Sequence, residues 1–415
     1  MFGTVSVTIV YLENIMTAQA QPVLSSTLVT LFSICCGAIV ANIYYAQPII
    51  ELIAPDVGIS TANAGFIVSL TQIGYALGLF FLVPLADLLE NRRLMLATLA
   101  VTITSLVGMA LTDSPAGLLL MSTLIGFSSV SVQILIPLAA HLAREENRGR
   151  VVGNIMSGLL LGILLARPVS SLIADHFGWR AVFYCAAVLM LIIAVVVIFT
   201  IPSHQPQHKV SYRQLVASLA HLFKRYALLR QRAFYQGLMF AAFSLYWTAA
   251  PLFLSERYNL SQTEIAIFAL VGAIGAIAAP MAGRLADAGL TEKMSKLAMI
   301  LAAVSFVPGL FNLPFGLMFL ALTGVLLDFA VQMNMVLGQR EIYALDPHSR
   351  GRLNALYMTS IFIGGAAGST MAGALYAYGG WFAVAIMGSA LPLLALLVFL
   401  KKSASRPLHA SEDAT

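Results

Sequence analysis

The chain has 415 residues, of which 60% are hydrophobic and only 10% charged, with a mean hydropathy of +0.89. Soluble domains carry about 25% charged residues, so a water-soluble fold is excluded, and the apolar excess runs the whole length, which argues against a single anchor on a soluble domain. The net charge of +5 follows from basic residues gathered in loops and gives no reason to expect a nucleic-acid partner.

A bilayer core about 30 Å thick asks for roughly 20 apolar residues of helix per crossing. Twelve segments qualify, at 25–48, 63–86, 93–112, 116–138, 151–174, 181–201, 231–254, 263–286, 294–311, 315–338, 353–377 and 381–400. Runs such as 188–199 are apolar on every face, so the spans read as helices and not as the alternating strands of a barrel. The predicted fold is an all-α membrane protein: a tail over 1–24, a six-helix bundle over 25–201, a linker over 202–230, a second six-helix bundle over 231–401 and a tail over 402–415. The stretch 2–12 is apolar but short and lacks a preceding basic region, so it does not read as a secretory signal; Met16 is an alternative start to Met1.

Span 1 carries Tyr44, Gln47 and Glu51 on one side. Span 4 carries Ser122, Ser129 and Gln133 on one side, and span 7 offers Tyr246, Trp247 and Thr248. For each of these, an interhelical hydrogen bond and a solute contact are both open readings. Small residues recur at four-residue spacing in span 2 (Gly74, Gly78), span 5 (Gly158, Gly162, Ala166) and span 11 (Gly364, Gly368), with a looser pair, Gly272 and Gly275, in span 8. Such spacing lets helices approach closely. The linker holds Leu215, Leu219, Leu222 and Leu228, which fit a short amphipathic helix or a plain charged tether.

Two spans hold an ionisable residue at depth. Arg167 is the only base deep within a span and stays charged at any ordinary pH; it can bind an anionic solute group, stabilise a carboxylate, or cap backbone carbonyls near one surface. Asp328 is the only acid at such depth. Its insertion costs about 2.5–3.5 kcal/mol, which marks it as functional by default. Asp328, Gln332 and Gln339 share one face at helical spacing, a polar stripe suited to an aqueous cavity with Asp328 as the proton-carrying group. The bland reading is an aspartate that braces helix packing. Counted at 1.5 Å per residue, Arg167 and Asp328 differ in depth by roughly 10 Å, which argues against direct contact.

All but three of the 23 Lys and Arg fall in or beside termini and loops on one side; the exceptions are Arg167, Arg180 and Arg257. The positive-inside rule then places both termini in the cytoplasm. Cys35, Cys36 and Cys185 sit within spans and imply no disulfide framework. All seven histidines lie in loops, tails or span ends, which removes paired intramembrane haem or metal ligands, and no phosphate-binding loop is present. No cofactor and no metal are expected, and catalysis by a membrane enzyme is disfavoured.

The chain repeats itself. Leu85-Ala86-Asp87 recurs as Leu285-Ala286-Asp287, Arg148-Gly149-Arg150 as Arg350-Gly351-Arg352, and Gly178-Trp179 as Gly380-Trp381, at offsets of 200, 202 and 202 residues. Each pair occupies the same place in its half. Parallel six-span repeats are a transporter design, with the solute site between the halves and access alternated by rocking.

With these residues in view the sequence resembles the major facilitator superfamily. Its loop between spans 2 and 3 carries a pattern close to G-x-L-A-D-R-x-G-R-R, and Leu85-Ala86-Asp87 with Arg92 and Arg93 matches the core and the basic pair, while the opening glycine and the Arg after the aspartate are absent. The second-half copy around Asp287 keeps the glycine and lacks the basic pair. Gly153, Gly162, Ala166 and Pro168 resemble the drug-antiporter motif of span 5, interrupted by Arg167; the span 4 arginine of many proton-coupled members is replaced near Ser122. Asn42-Ile43-Tyr44-Tyr45-Ala46-Gln47-Pro48, Ala166-Arg167-Pro168, Gly178-Trp179-Arg180 and the run from Asp328 to Asn354 resemble a bacterial branch grouped with acriflavine-sensitivity transporters.

The resemblance implies twelve helices in two pseudo-symmetric bundles, a cavity lined by spans 1, 4, 7 and 10, and an interface of spans 2, 5, 8 and 11. It implies Asp87, Arg92, Arg93 and Asp287 as a conformational lock, the rival reading being charged turns that fix topology. It also places the protein in a bacterial inner membrane as a monomeric antiporter, exchanging a small organic solute for protons in the efflux direction. The alternative is uptake or uniport of a sugar-like or anionic solute bound by Arg167. With Asp328 and Arg167, the cavity candidates are Tyr44, Tyr45, Gln47, Gln133, Trp247 and Gln332.

Overall fold

The computed structural model describes residues 25–201, 203, 211–272, 278–311, 315–346 and 349–404. The stretch 2–12, Met16 and the C-terminal tail beyond 404 lie outside the described residues. Every element among the described residues is helical. Nine of these helices are long and apolar enough to cross a bilayer. One of the nine, Arg350–Ala404, is two spans joined without a loop and broken at Gly380, φ 58°. Its repeat partner Gly178, φ 82°, separates Arg148–Phe177 from Trp179–Thr200. Both positions need a left-handed backbone that favours glycine, so the repeated Gly-Trp marks the same sharp break in each half.

The first span is an interrupted helix. Span 1 runs as Ser26–Ala41, a turn, and then Gln47–Ile49 and Ile50–Asp56. Pro48 has no N–H and cannot continue an α-helix through this point. The carbonyl of Tyr45, left free by the break, accepts a hydrogen bond from Ser170 of span 5 at 2.6 Å. Span 8 is described as Gln262–Ala269 and Ala278–Asp287, with 273–277 outside the described residues. The remaining spans are Gly65–Phe81, Asn91–Leu111, Pro115–Ser128 continued by Val132–Leu142, Ala227–Tyr258, Thr291–Ser305 and Gly316–Leu345. The twelve-span, all-α architecture is therefore realised.

Each half packs by the same scheme. Span 1 lies on span 5, 2 on 4 and 3 on 6; span 7 lies on 11, 8 on 10 and 9 on the helix containing 12. Between the halves, span 2 meets span 11 and span 5 meets span 8.

The glycine spacing serves the close helix approach read from the sequence, and it does so inside each half. A Cβ on Gly74 would overlap the Thr123 carbonyl of span 4, and one on Gly158 or Gly162 the backbone of Ser33 or Gly37 of span 1. Gly364 and Gly368 press in the same way on Gly237 and Ala241 of span 7. All these contacts lie within one half, so they weld each bundle and do not form a sliding surface. The tight approaches between halves use other glycines: Gly65 against the Ser369 carbonyl, and Gly373 against Thr61 and Ala62.

The linker forms a helix, Tyr212–Arg225, opened by a capping box between Ser211 and Gln214, which satisfies two orphan donors. Leu215, Leu219 and Leu222 are buried, whereas Leu228 belongs to the next helix. Tyr212 donates to the Phe81 carbonyl at 2.9 Å, and Arg352 donates to Ser218 at 3.0 Å. The helix thus touches both halves and is more than a tether.

Candidate functional site

Span 5 carries Arg167 toward the molecule's midline, where its side chain is 4% exposed. Its Nε donates to Gln47 Oε1 at 2.9 Å. The guanidinium carbon lies 5.2 Å from the Tyr44 ring centroid, 5.2 Å from that of Phe243 and 4.5 Å from that of Trp247, a cation held by ring quadrupoles from both halves. Its Nη2 is buried without a hydrogen-bond partner among the described residues. Capping of backbone carbonyls, one of the readings from sequence, is not what Arg167 does.

Trp247 connects this cation to the buried acid. Its Nε1 donates to Asp328 Oδ1 at 2.8 Å, while its ring faces Arg167. No ion pair joins Arg167 to Asp328 within 4 Å among the described residues. The depth difference counted from sequence is bridged by an indole. Gly272 lies against the Asp328 carboxylate and the Trp247 ring, and a Cβ there would come within 2.6 Å of Oδ2. Sequence spacing assigned Gly272 to helix packing; its contact with a carboxylate has no sequence signal. Phe243, absent from the sequence candidates, looks like ordinary span apolarity until the fold sets it beside Arg167.

The other candidates divide. Gln47 also donates to Thr248 Oγ1 at 3.3 Å, across the two halves. Tyr45 contributes its carbonyl to span 5 and is buried away from these contacts. Gln133 donates to the Tyr75 hydroxyl at 3.3 Å. Gln332 is half-buried and makes no hydrogen bond among the described residues; Gln339, lower on the same stripe, bonds Asn354 at 3.2 Å. Ser122 and Ser129 bond their own helix, at 3.0 Å and 2.6 Å.

A cavity of about 720 Å³ opens between the halves at the end carrying the basic loops, lined by Asp87, Asn91, Gln133, His141, Arg352 and Asn354 among others. A run of rings joins its wall to Arg167: Tyr75 meets Phe362 at 4.6 Å, Phe362 meets Phe240 at 5.4 Å, and Phe240 stacks on Phe243 at 5.0 Å. At the opposite end the halves are closed on each other. Thr370 donates to Ser69 at 2.7 Å, Thr263 to Asp175 at 2.5 Å, and Gln262 to Glu51. Beside Arg167 this closure leaves a void of about 10 Å³, the size of a single water.

Of the expected lock, Asp87 lines this cavity together with Gly351 and Arg352 of the first turn of span 11. Arg93 pairs with Glu90 at 2.9 Å and is 89% exposed; Arg92 is half-buried. The side chain of Asp287 lies outside the described residues.

At the closed end, Arg180 bonds Asp56 and also Asp113 at 2.6 Å, and Trp179 Nε1 donates to Asp56 at 3.0 Å. The Arg180 hydrogen bond, followed by that from Trp179, holds the Asp56 carboxyl below its ordinary value of 3.8. A depressed carboxyl contributes stability above its unfolded value and loses it as the pH falls through the folded one. This clasp therefore holds at neutral pH and opens only in acid below 3.8. The emission of Trp179, read against Trp179→Phe, is expected to stay constant from neutral pH down to that value and to change below it. A change near neutrality contradicts the assignment.

The sequence profile of the Major Facilitator Superfamily matches residues 28–343 and 233–414. The chain is 42% identical over 380 residues to "Uncharacterized transporter YgaY" of Escherichia coli O157:H7, covering 91% of this chain and 95% of that one. It is 30% identical over 362 residues to "Probable transporter SCO4007" of Streptomyces coelicolor, covering 87% and 84%. Among solved structures it is similar to the nucleoside transporter NupG, with TM-score 0.71, 16% identity and 91% and 100% of the chains covered. It is similar also to a POT family transporter in complex with 5-aminolevulinic acid, with TM-score 0.72, 14% identity and 91% and 96% covered.

Proposed function

The chain belongs to the major facilitator superfamily, and from that premise we propose that it is a proton-coupled secondary transporter of a small organic solute, with Asp328 carrying the proton. The observation that supports this reading is the sharing of Trp247: one indole faces Arg167 and donates to Asp328. A charge change at either group is felt by the other through a common ring. Glu51, Asp175, Gln262 and Thr263 act as the gate at the closed end. The end with the basic loops faces the cytoplasm of a bacterial cell, by the positive-inside rule, so the cavity of about 720 Å³ is the inward-facing vestibule. Asp87 is the inner lock, closing on the start of span 11, where a helix dipole favours negative charge. The working unit is a single chain.

Direction depends on how proton and solute share the site. Efflux against inward-moving protons, the direction that the drug-antiporter resemblance implies, requires them to occupy it in turn. Uptake of an anionic solute requires them together, and the Nη2 of Arg167, without a partner among the described residues, favours that second reading.

The test is reconstitution in liposomes with a panel of radiolabelled sugars, nucleosides, amines and organic acids, each assayed with and without an imposed pH gradient. Gradient-dependent movement of at least one solute, abolished by a protonophore, is the expected result. A solute that the protein moves at the same rate with and without the gradient contradicts proton coupling.

A further inference from the structure

The buried guanidinium is built for more hydrogen bonds than the protein gives it. Arg167 spends Nε on Gln47, and Tyr44, Phe243 and Trp247 hold its plane. None of these rings supplies an acceptor to Nη2, which is buried and partnerless among the described residues. An unmet buried donor costs free energy, more so on a charged group. The planar fork of an arginine matches a carboxylate bidentately. Beside it Ala250, Leu254, Ile265 and Phe268 line the one-water void left by the closed end; these side chains carry no charge, and an apolar body meets them once the two halves part there.

Charge balance then constrains the proton. With the site empty, Arg167 and an ionised Asp328 neutralise one another through the shared Trp247. A monoanion on Arg167 would leave Asp328 as a second, uncompensated negative charge in a poorly solvated place, which is expensive. The groups that act electrostatically on Asp328 are Arg167 on span 5, Tyr44 on span 1 and Tyr246 on span 7. The two tyrosines are uncharged phenols near neutral pH, and Arg167 keeps its proton. Asp328 is the group left to take up the compensating proton.

We infer that the solute is an organic monocarboxylate with an apolar body, bound by its carboxylate to the Nη2 side of Arg167 when the halves part there, and that a proton binds to Asp328 in the same event. This rests on the proton-carrying reading of Asp328 and adds the chemical class of the solute and the sense of coupling. Monoanion and proton enter the site together and cross together, so the inward proton gradient drives uptake. An organic amine is disfavoured, since it would set a like charge against Arg167.

The test uses the full chain in detergent and weakly buffered medium. Tryptophan fluorescence reports binding of phenylacetate, hexanoate and their amides, and a pH dye reports protons taken up on binding. Wild type is expected to bind the carboxylates and not the amides, with alkalinisation of the medium. Asp328→Asn should bind the same carboxylates without taking up protons. Arg167→Gln should weaken carboxylate binding on the order of 100-fold, with Arg167→Lys restoring part of it; a gel-filtration profile matching wild type certifies each variant as folded. Binding of the amides as tight as that of the acids, or equal affinity in Arg167→Gln, overturns the carboxylate assignment and leaves the proton site standing. Carboxylate binding by wild type without proton uptake overturns joint binding. Equal proton uptake by wild type and Asp328→Asn overturns the proton-carrying reading itself.

Discussion

Asp328→Asn is expected to abolish accumulation of solute against its gradient while leaving exchange of labelled for unlabelled solute across the liposome membrane intact. Asparagine keeps the size of the side chain and can still accept from Trp247 Nε1, now 2.8 Å from the carboxylate. It cannot carry a proton. The solute therefore still binds and still crosses, but the pH gradient no longer does work on it. Accumulation should fall to the level seen without a gradient. A variant that accumulates solute as wild type does removes Asp328 from coupling. One that loses exchange as well assigns Asp328 to solute binding or to helix packing, the bland reading of a buried aspartate.

The second large effect separates the moving interface from the fixed ones. Gly65 meets the Ser369 carbonyl across the halves, and no room remains for a Cβ. Gly65→Val should prevent the closed end from closing, stop the transport cycle and leave the protein folded, because the halves are free to part there. Gly126 meets the Thr71 carbonyl inside one half. Gly126→Val has no such relief, and overpacking of this kind costs about 1–3 kcal/mol or more, so folded yield and melting temperature should drop. Single cysteines at Ser69 and Thr370, in a background with the three natural cysteines replaced, report the difference. In Gly65→Val they should react quickly with an impermeant maleimide applied from the closed end. If both variants lower the melting temperature alike and neither opens the cysteines, the contact at Gly65 is a fixed weld and the rocking interface lies elsewhere.

Much of this was legible in the chain. Twelve apolar segments demanded helices, since backbone polar groups in lipid must be satisfied within a segment. The repeated Gly-Trp marked the same break in both halves, because only Gly178 and Gly380 can take their positive φ easily. Arg167 and Asp328 stood out because charge at that depth is costly. What stayed hidden depended on rotation and register of one helix against another. Gly65, Gly74 and Gly364 are all small residues in apolar helices, and nothing in the local sequence tells which of them faces its own half. Trp247 was one of several aromatics on span 7; its joint contact with a cation from span 5 and an acid from span 10 exists only once three helices are packed. Tyr45 illustrates the converse. It sits beside Tyr44 in the turn that breaks span 1, where no regular periodicity tells which ring points inward, and only Tyr44 reaches Arg167.

The most direct test of a proton-carrying Asp328 is spectroscopic. Difference infrared spectra of the reconstituted protein, recorded as the pH is cycled across neutrality, should contain the C=O stretch of a carboxyl that gains and loses a proton in a poorly hydrated site. Wild type should show this band, and Asp328→Asn should lose the Asp328 component of it. The same band at the same intensity in both proteins would contradict a proton-carrying Asp328.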